Sequence, residues 1–256
     1  MDTIGTSRTR SVDHTIQLFC VWSGVAFVVV FLASWLTAGW IPPQPPSWDA
    51  QTLAAFYAEH RTAIRAGQIG ALLAAGLELP FFLVVAGHIL RIERGRMPVL
   101  TMLYAAGAVI LNALVVICCL GWLIASFRTD LEPTALQSWH DFCWIVFVSA
   151  FSPYVVMMGS LGVAVLTDET PDPVWPRWVG YFSLFVALSS FGGAVAVYFK
   201  TGPLAYNGLI AFWLVMVGFM GWITIMIVCV HRWTVRQPVG AGSVFEAQPP
   251  VPVNPA

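Results

Sequence analysis

The stretch VLTMLYAAGAVILNALVVICCLGWLIAS, residues 99–126, contains no charged side chain. A helix needs about 20 mostly apolar residues to cross a ~30 Å hydrocarbon core, and this run exceeds that length. Charge marks both of its ends, with Arg91, Arg94 and Arg96 on one side and Arg128, Asp130 and Glu132 on the other. Working outward, five further apolar stretches of the required length lie between charges, at residues 16–40, 67–90, 142–166, 179–199 and 209–230. Charged residues make up 10% of the chain and hydrophobic ones 58%, where a soluble domain carries roughly a quarter charged. The sequence therefore predicts an all-α, polytopic transmembrane helix bundle of about six helices.

The first stretch is too long for the apolar region of a signal peptide, and no small-x-small cleavage site follows it, so it is read as a membrane helix. Orientation follows from the basic residues, which are retained on the cytoplasmic side. With the N-terminus inside, the inner segments hold Arg8, Arg10, Arg91, Arg94, Arg96, Arg177, Arg232 and Arg236. The outer segments hold Arg61, Arg65, Arg128 and Lys200, which favours both termini in the cytoplasm. Residues 1–15 read as a disordered leader, residues 16–231 as the membrane domain, and residues 232–256, rich in Pro and Gly, as a disordered tail.

The longest outer loop opens with PPQPPSWD, whose prolines forbid helix until Asp49, a helix N-cap candidate. An amphipathic extension over residues 50–66 then leads into the second membrane stretch. Leu53, Tyr57, His60, Ile64, Gly67, Ala71, Ala75 and Glu78 recur at spacings of three and four, which places them on one helix face. Small residues line two other helices: Ala105, Ala108, Asn112 and Cys119 on the third, and Gly180, Ser183, Ala187, Ser190 and Ala194 on the fifth. Such stripes let backbones approach closely in lipid, where packing drives association. Trp40, Trp48, Trp122 and Trp139 fall at the outer membrane interface, and Trp175, Trp178 and Trp233 at the inner one.

Several function classes are excluded or left without support. The net charge of −1 and the absence of a dense basic cluster exclude nucleic acid as a partner. The five cysteines lie in apolar stretches, where a thiol acts as a small hydrophobe, and no CxxC spacing is present. There is no GxxxxGK[ST], GxSxG or helix-opening GxGxxG motif, so phosphate-binding and serine-hydrolase chemistry are not expected. Acidic and His residues gather in the outer loops without metal-ligand spacing, and neither a metal site nor a cofactor is expected.

Glu78 is the one acidic side chain deep inside a membrane stretch, where an ionised carboxylate costs about 3 kcal/mol on insertion scales. It is either a neutral acid that ties two helices by donating a hydrogen bond to Asn112 or to a freed carbonyl, or a proton-exchanging, catalytic or ligand-balancing group. Asp141, Ser149 and Ser152 fall on one face of the fourth helix and form a polar line down it. With Asn112, Ser189 and Ser190 they are expected to line a pocket around Glu78, and His60 is a further candidate binding residue at the outer end of the same helical face as Glu78, about 27 Å from it at ~1.5 Å per residue. Pro80 and Pro153 each remove one helix hydrogen bond, and a simple kink at each is the favoured reading over a binding site built on broken helices.

The strings FYAEHR (residues 56–61), WPRWVGYF (residues 175–182) and GPLAYNGLIAFW (residues 202–213) resemble an uncharacterised family of small bacterial membrane proteins of about six helices. That resemblance implies a multi-pass protein of the bacterial inner membrane and carries no activity, cofactor or site residue with it. Three readings of function remain open. The first is binding, or helping to move, a hydrophobic small molecule or lipid in an intramembrane pocket. The second is a membrane-embedded enzyme acting on a lipophilic substrate with Glu78 as acid or base. The third is an accessory subunit or homo-oligomer whose small-residue faces pack on another membrane protein. Membrane lipids are expected partners in all three.

Overall fold

A computed structural model describes residues 3–94 and 96–236, and among them the chain is helical throughout, with turns and no strand. Six segments are long and apolar enough to cross a membrane. The first is α1 (Thr3–Ala38), the second α2 (Ala50–Ile92) and the third α3 (Val99–Phe127). The fourth span is divided into α4 (Pro133–Val148) and α5 (Phe151–Leu166). The fifth comprises α6 (Arg177–Ser189), the short α7 (Phe191–Ala194) and a 3₁₀ turn at Ala196–Tyr198. The last opens with a π-helical turn at Leu209–Trp213 and continues as α8 (Leu214–Arg236). Among the described residues, the start of α1 and the end of α8 lie on the same side of the bundle, where Trp22 of α1 meets His231 of α8.

Helix ends are fixed by local polar groups. Asp49 accepts a hydrogen bond from the Thr52 amide at 2.7 Å and caps α2 as expected, and that bond holds its carboxyl below the ordinary carboxylate range. Glu93 caps α3 from outside, accepting from the Leu100 and Thr101 amides at 2.8 Å each and from the Thr101 hydroxyl at 2.6 Å. At the other end of α3, Arg65 donates to the carbonyls of Ser126 and Phe127, and Arg61 donates to that of Arg128. Two of the four basic residues on that side are thus engaged with orphan carbonyls at a helix C-terminus.

The extension over residues 50–66 and the second membrane stretch are one unbroken helix of 43 residues, about 65 Å at ~1.5 Å per residue. It passes through Pro80 without interruption. The fourth span differs: Ser149 and Ala150 separate α4 from α5, so the helix is interrupted four to three residues before Pro153, where the ring removes a donor. At the chain ends, the expected leader is helical from Thr3 and the expected tail is helical through Arg236. No proline interrupts residues 3–38, and a helix already nucleated by a membrane span extends at little cost. Residues 1–2 and 237–256 lie outside the described residues.

α2 packs against α1, α3, α4 and α5, while α8 meets α1 and α6 and closes the ring. The contacts run along the predicted small-residue faces. Ala108, Asn112 and Cys119 of α3 are buried, as are Gly180, Ser183, Ala187 and Ser190. A methyl group on Gly162 would come within 3.1 Å of the Gly180 carbonyl oxygen, so α5 and α6 cross with their backbones nearly touching. Large apolar residues such as Val29, Leu73, Leu83, Val109, Leu188 and Val217 are exposed around the belt, as a lipid-facing surface requires.

The tryptophans divide differently from expectation. Trp139 and Trp178 are partly exposed, but Trp40 and Trp122 are fully buried and join Trp35 and Trp144 in one indole cluster, with ring centroids 5.1 to 6.2 Å apart. Trp175 is also buried, edge-on to His88. These side chains are packing units and contribute nothing to an interfacial belt.

Candidate functional site

The face of α2 read from sequence is buried over its length, through Leu53, Tyr57, Ile64, Gly67, Ala71, Ala75 and Glu78. His60 stands apart from it. Its ring stacks on Phe56 with centroids 4.5 Å apart and its Nδ1 lies 3.1 Å from the Phe56 carbonyl oxygen, on the partly exposed flank of the helix. Tyr57 occupies the buried position instead, with its hydroxyl 3.0 Å from Nδ1 of the buried His140.

Glu78 is held from α3. Asn112 Nδ2 donates to the Ala75 carbonyl at 2.8 Å and to Glu78 Oε2 at 3.0 Å. A carbonyl oxygen can only accept, so the amide's NH₂ must face α2 and its orientation is fixed. A hydrogen bond thus ties these two helices, as one of the readings of Glu78 expected, but its direction is the reverse of the expected one, since Asn112 donates and Glu78 accepts.

Glu78 also lines a mid-span cavity of about 110 Å³. The wall is formed by α1 (Phe27, Phe31), α2 (Glu78, Phe82), α3 (Leu111, Leu114, Val115), the α4–α5 segment (Phe147, Val148, Ala150, Phe151, Tyr154) and the start of the last span (Ala211, Phe212, Val215, Met216, Phe219, Met220). Ser190, at the end of α6, completes it. Polar atoms are few. The Ser190 hydroxyl is spent on the Ala187 carbonyl at 2.6 Å, whereas the buried Tyr154 hydroxyl has no hydrogen-bond partner among the described residues.

Three spans depart from regular α-helix where they reach this cavity: at Ser149–Ala150, at Ser190 and in the π turn containing Ala211 and Phe212. Irregular backbone at membrane depth is tolerated only where it is buried in protein or lines a cavity, and broken helices mark midplane sites in transporters. The two interrupted spans lock onto each other. The Ser149 hydroxyl donates to the Gly193 carbonyl at 3.0 Å, and any side chain on Gly193 would collide with the Val148 carbonyl oxygen.

The other expected binding residues are placed elsewhere. Ser149 serves this inter-span bond and not the cavity. Ser189 bonds the Val186 carbonyl of its own helix at 2.7 Å and does not line the wall. Ser152 is exposed, because the break at residues 149–150 rotates α5 relative to the line projected through Asp141 and Ser149. Asp141 is half-buried beside Tyr206 and Lys200, away from the cavity. Of the predicted set, the structure therefore gathers Glu78, Asn112 and Ser190. The aromatic wall was not anticipated, although the i, i+4 pair Phe27 and Phe31 and the i, i+7 pair Phe212 and Phe219 carry the helical spacing that could have shown it.

The hydrogen bond on Glu78 comes from an amide that does not titrate, and the only other titratable lining group is Tyr154. The arrangement can receive an apolar group and present it with one carboxyl; it supplies no acid–base pair. Among the described residues no three His, Cys, Asp or Glu side chains come together as a metal site would need. The chain matches no protein-family model, no curated protein and no solved structure.

Proposed function

We propose that the protein binds, or helps to move, a small hydrophobic molecule or the end of a lipid in the mid-span cavity, without catalysing a reaction. The observation that carries this reading is the cavity itself, an apolar chamber bounded by every span, with three broken helices at its wall and a single carboxyl. Size narrows the occupant. An engineered apolar cavity of ~150 Å³ accepts benzene, and drug-sized sites are several times larger. At about 110 Å³ the chamber suits a compact group of about the size of a benzene ring, so a whole lipid would have to leave most of its length outside. The setting we propose is a bacterial inner membrane with both termini cytoplasmic. The excess of arginine on the side of the chain ends supports it, as does the engagement of Arg61 and Arg65 with the end of α3.

Filling the chamber tests the reading. Val115→Phe and Ser190→Leu each add bulk to the wall from different helices. Mass spectrometry of the natively purified protein is expected to show an apolar compound with the wild type and its loss from both variants, while their melting temperatures stay within a few degrees of the wild type. Unchanged occupancy in both variants would remove the cavity as the binding site.

A further inference from the structure

We infer that the occupant is a compact lipophilic cation, an alkylammonium group, held by Glu78 as its counter-charge and taken up in exchange for the Glu78 proton. The inference rests on the cavity being a binding site and names what it selects. No Arg, Lys or His lines the wall, so nothing there would hold an anion, and Glu78 has no cationic partner among the described residues. The walls present aromatic rings from four of the spans, through Phe27, Phe31, Phe82, Phe147, Phe212 and Phe219. Ring faces carry the negative lobe of the quadrupole, and several around one chamber attract a cation. A purely apolar occupant would use the same walls, but it would engage only the rings and not the second oxygen of the carboxyl, Oε1, which the tie to Asn112 does not use.

The fixed orientation of Asn112 decides what Glu78 offers. Oε2 already accepts a hydrogen from Asn112, so when the carboxyl is neutral its own proton belongs on Oε1, the oxygen that Asn112 does not engage. An unpaired carboxylate at mid-membrane is costly, which keeps the empty site protonated. When an ammonium enters, the Oε1–H bond breaks, the proton leaves to water and the carboxylate pairs with the cation. The charge in the chamber is zero before and after. Around Glu78, α3 contributes Tyr104 and Asn112, and α5 contributes Tyr154. The residues of α1, α4, α6 and α8 that line the chamber include no titratable group. Glu78 is therefore the group whose proton the cation can displace.

Tetramethylammonium and neopentane have the same shape and differ in charge, and they separate the possibilities. In lipid nanodiscs the wild type is expected to bind tetramethylammonium saturably, to release one proton per cation, and to gain up to tenfold in affinity for each unit of rising pH while the free carboxyl is protonated. Glu78→Gln is expected to weaken tetramethylammonium at least tenfold while its melting temperature stays within a few degrees of the wild type, which reports that the variant is folded. Proton release by the wild type supplies a second readout that needs no variant. Neopentane binding without tetramethylammonium binding, or cation binding that releases no proton or ignores Glu78→Gln, would overturn the cation inference and leave the cavity reading standing. Binding of neither probe would overturn both.

Discussion

Gly67→Leu is expected to lower the melting temperature in detergent more than any other single change on the inner face of α2. A Cβ at Gly67 would collide with the Ser34 carbonyl oxygen and stand 2.6 Å from the Ala38 Cβ and 2.8 Å from the Ala38 nitrogen. Two of these three obstacles are backbone atoms of α1, which cannot rotate aside. In a membrane the two helices gain nothing from hiding apolar surface, so their association depends on this close approach. Overpacking in well-ordered cores costs about 1–3 kcal/mol, and a backbone collision belongs at the upper end of that range. Gly76, whose Cβ would meet nothing within 4 Å, is the control on the same helix. Gly76→Leu is expected to be near-neutral, and equal losses at the two positions would contradict this account of the α1–α2 contact.

Trp144→Ala is expected to produce the second large loss. The indole of Trp144 packs on Trp35, Trp122 and Tyr206, with ring centroids 5.7, 5.1 and 5.7 Å away, and it is fully buried. Its Nε1 finds no hydrogen-bond partner among the described residues, so the effect of removing it is one of packing. Truncating a buried tryptophan costs about 3–5 kcal/mol in soluble cores, and about 3 kcal/mol is expected here because the transfer contribution shrinks in lipid while the void remains. Phe147 and Phe212 touch both Trp144 and the mid-span cavity, so the void should enlarge the chamber. Thermal denaturation followed by near-ultraviolet circular dichroism checks the prediction; a stable variant with an unchanged aromatic signal would contradict it.

The parts of this architecture that are set by single-helix chemistry were legible in the sequence. Gaps between charges marked the six spans, PPQPPSWD and Asp49 marked the start of α2, and the recurrence from Leu53 to Glu78 marked its buried face. A tie from Glu78 to Asn112 was one of the readings open in the sequence, but its direction was not, because Asn112 is fixed as the donor by the Ala75 carbonyl that it also binds. What escaped was set by contacts between spans. Pro153 was visible, but the close approach of Gly193 to Val148 that holds the break in place joins distant segments. Once α4 stops at Val148, the angular register that seemed to align Ser152 with Asp141 is lost. His60 failed for a smaller reason. A step of three residues turns the helix by less than a full revolution, which moves His60 off the narrow contact that Tyr57 and Ile64 make seven residues apart. The buried indole cluster escaped because a tryptophan near a helix end reads equally well as a membrane anchor.

The claim that the mid-span cavity receives a small apolar group can be read directly from four methionines. Met216 and Met220 line the chamber, whereas Met157 and Met158 are fully buried away from it. With methyl-labelled methionine in lipid nanodiscs, a benzene titration is expected to shift the Met216 and Met220 signals saturably through the ring current of the bound molecule and to leave those of Met157 and Met158 in place. Four methyl signals that drift together in proportion to benzene concentration, or Met216 and Met220 signals that do not move, would contradict it.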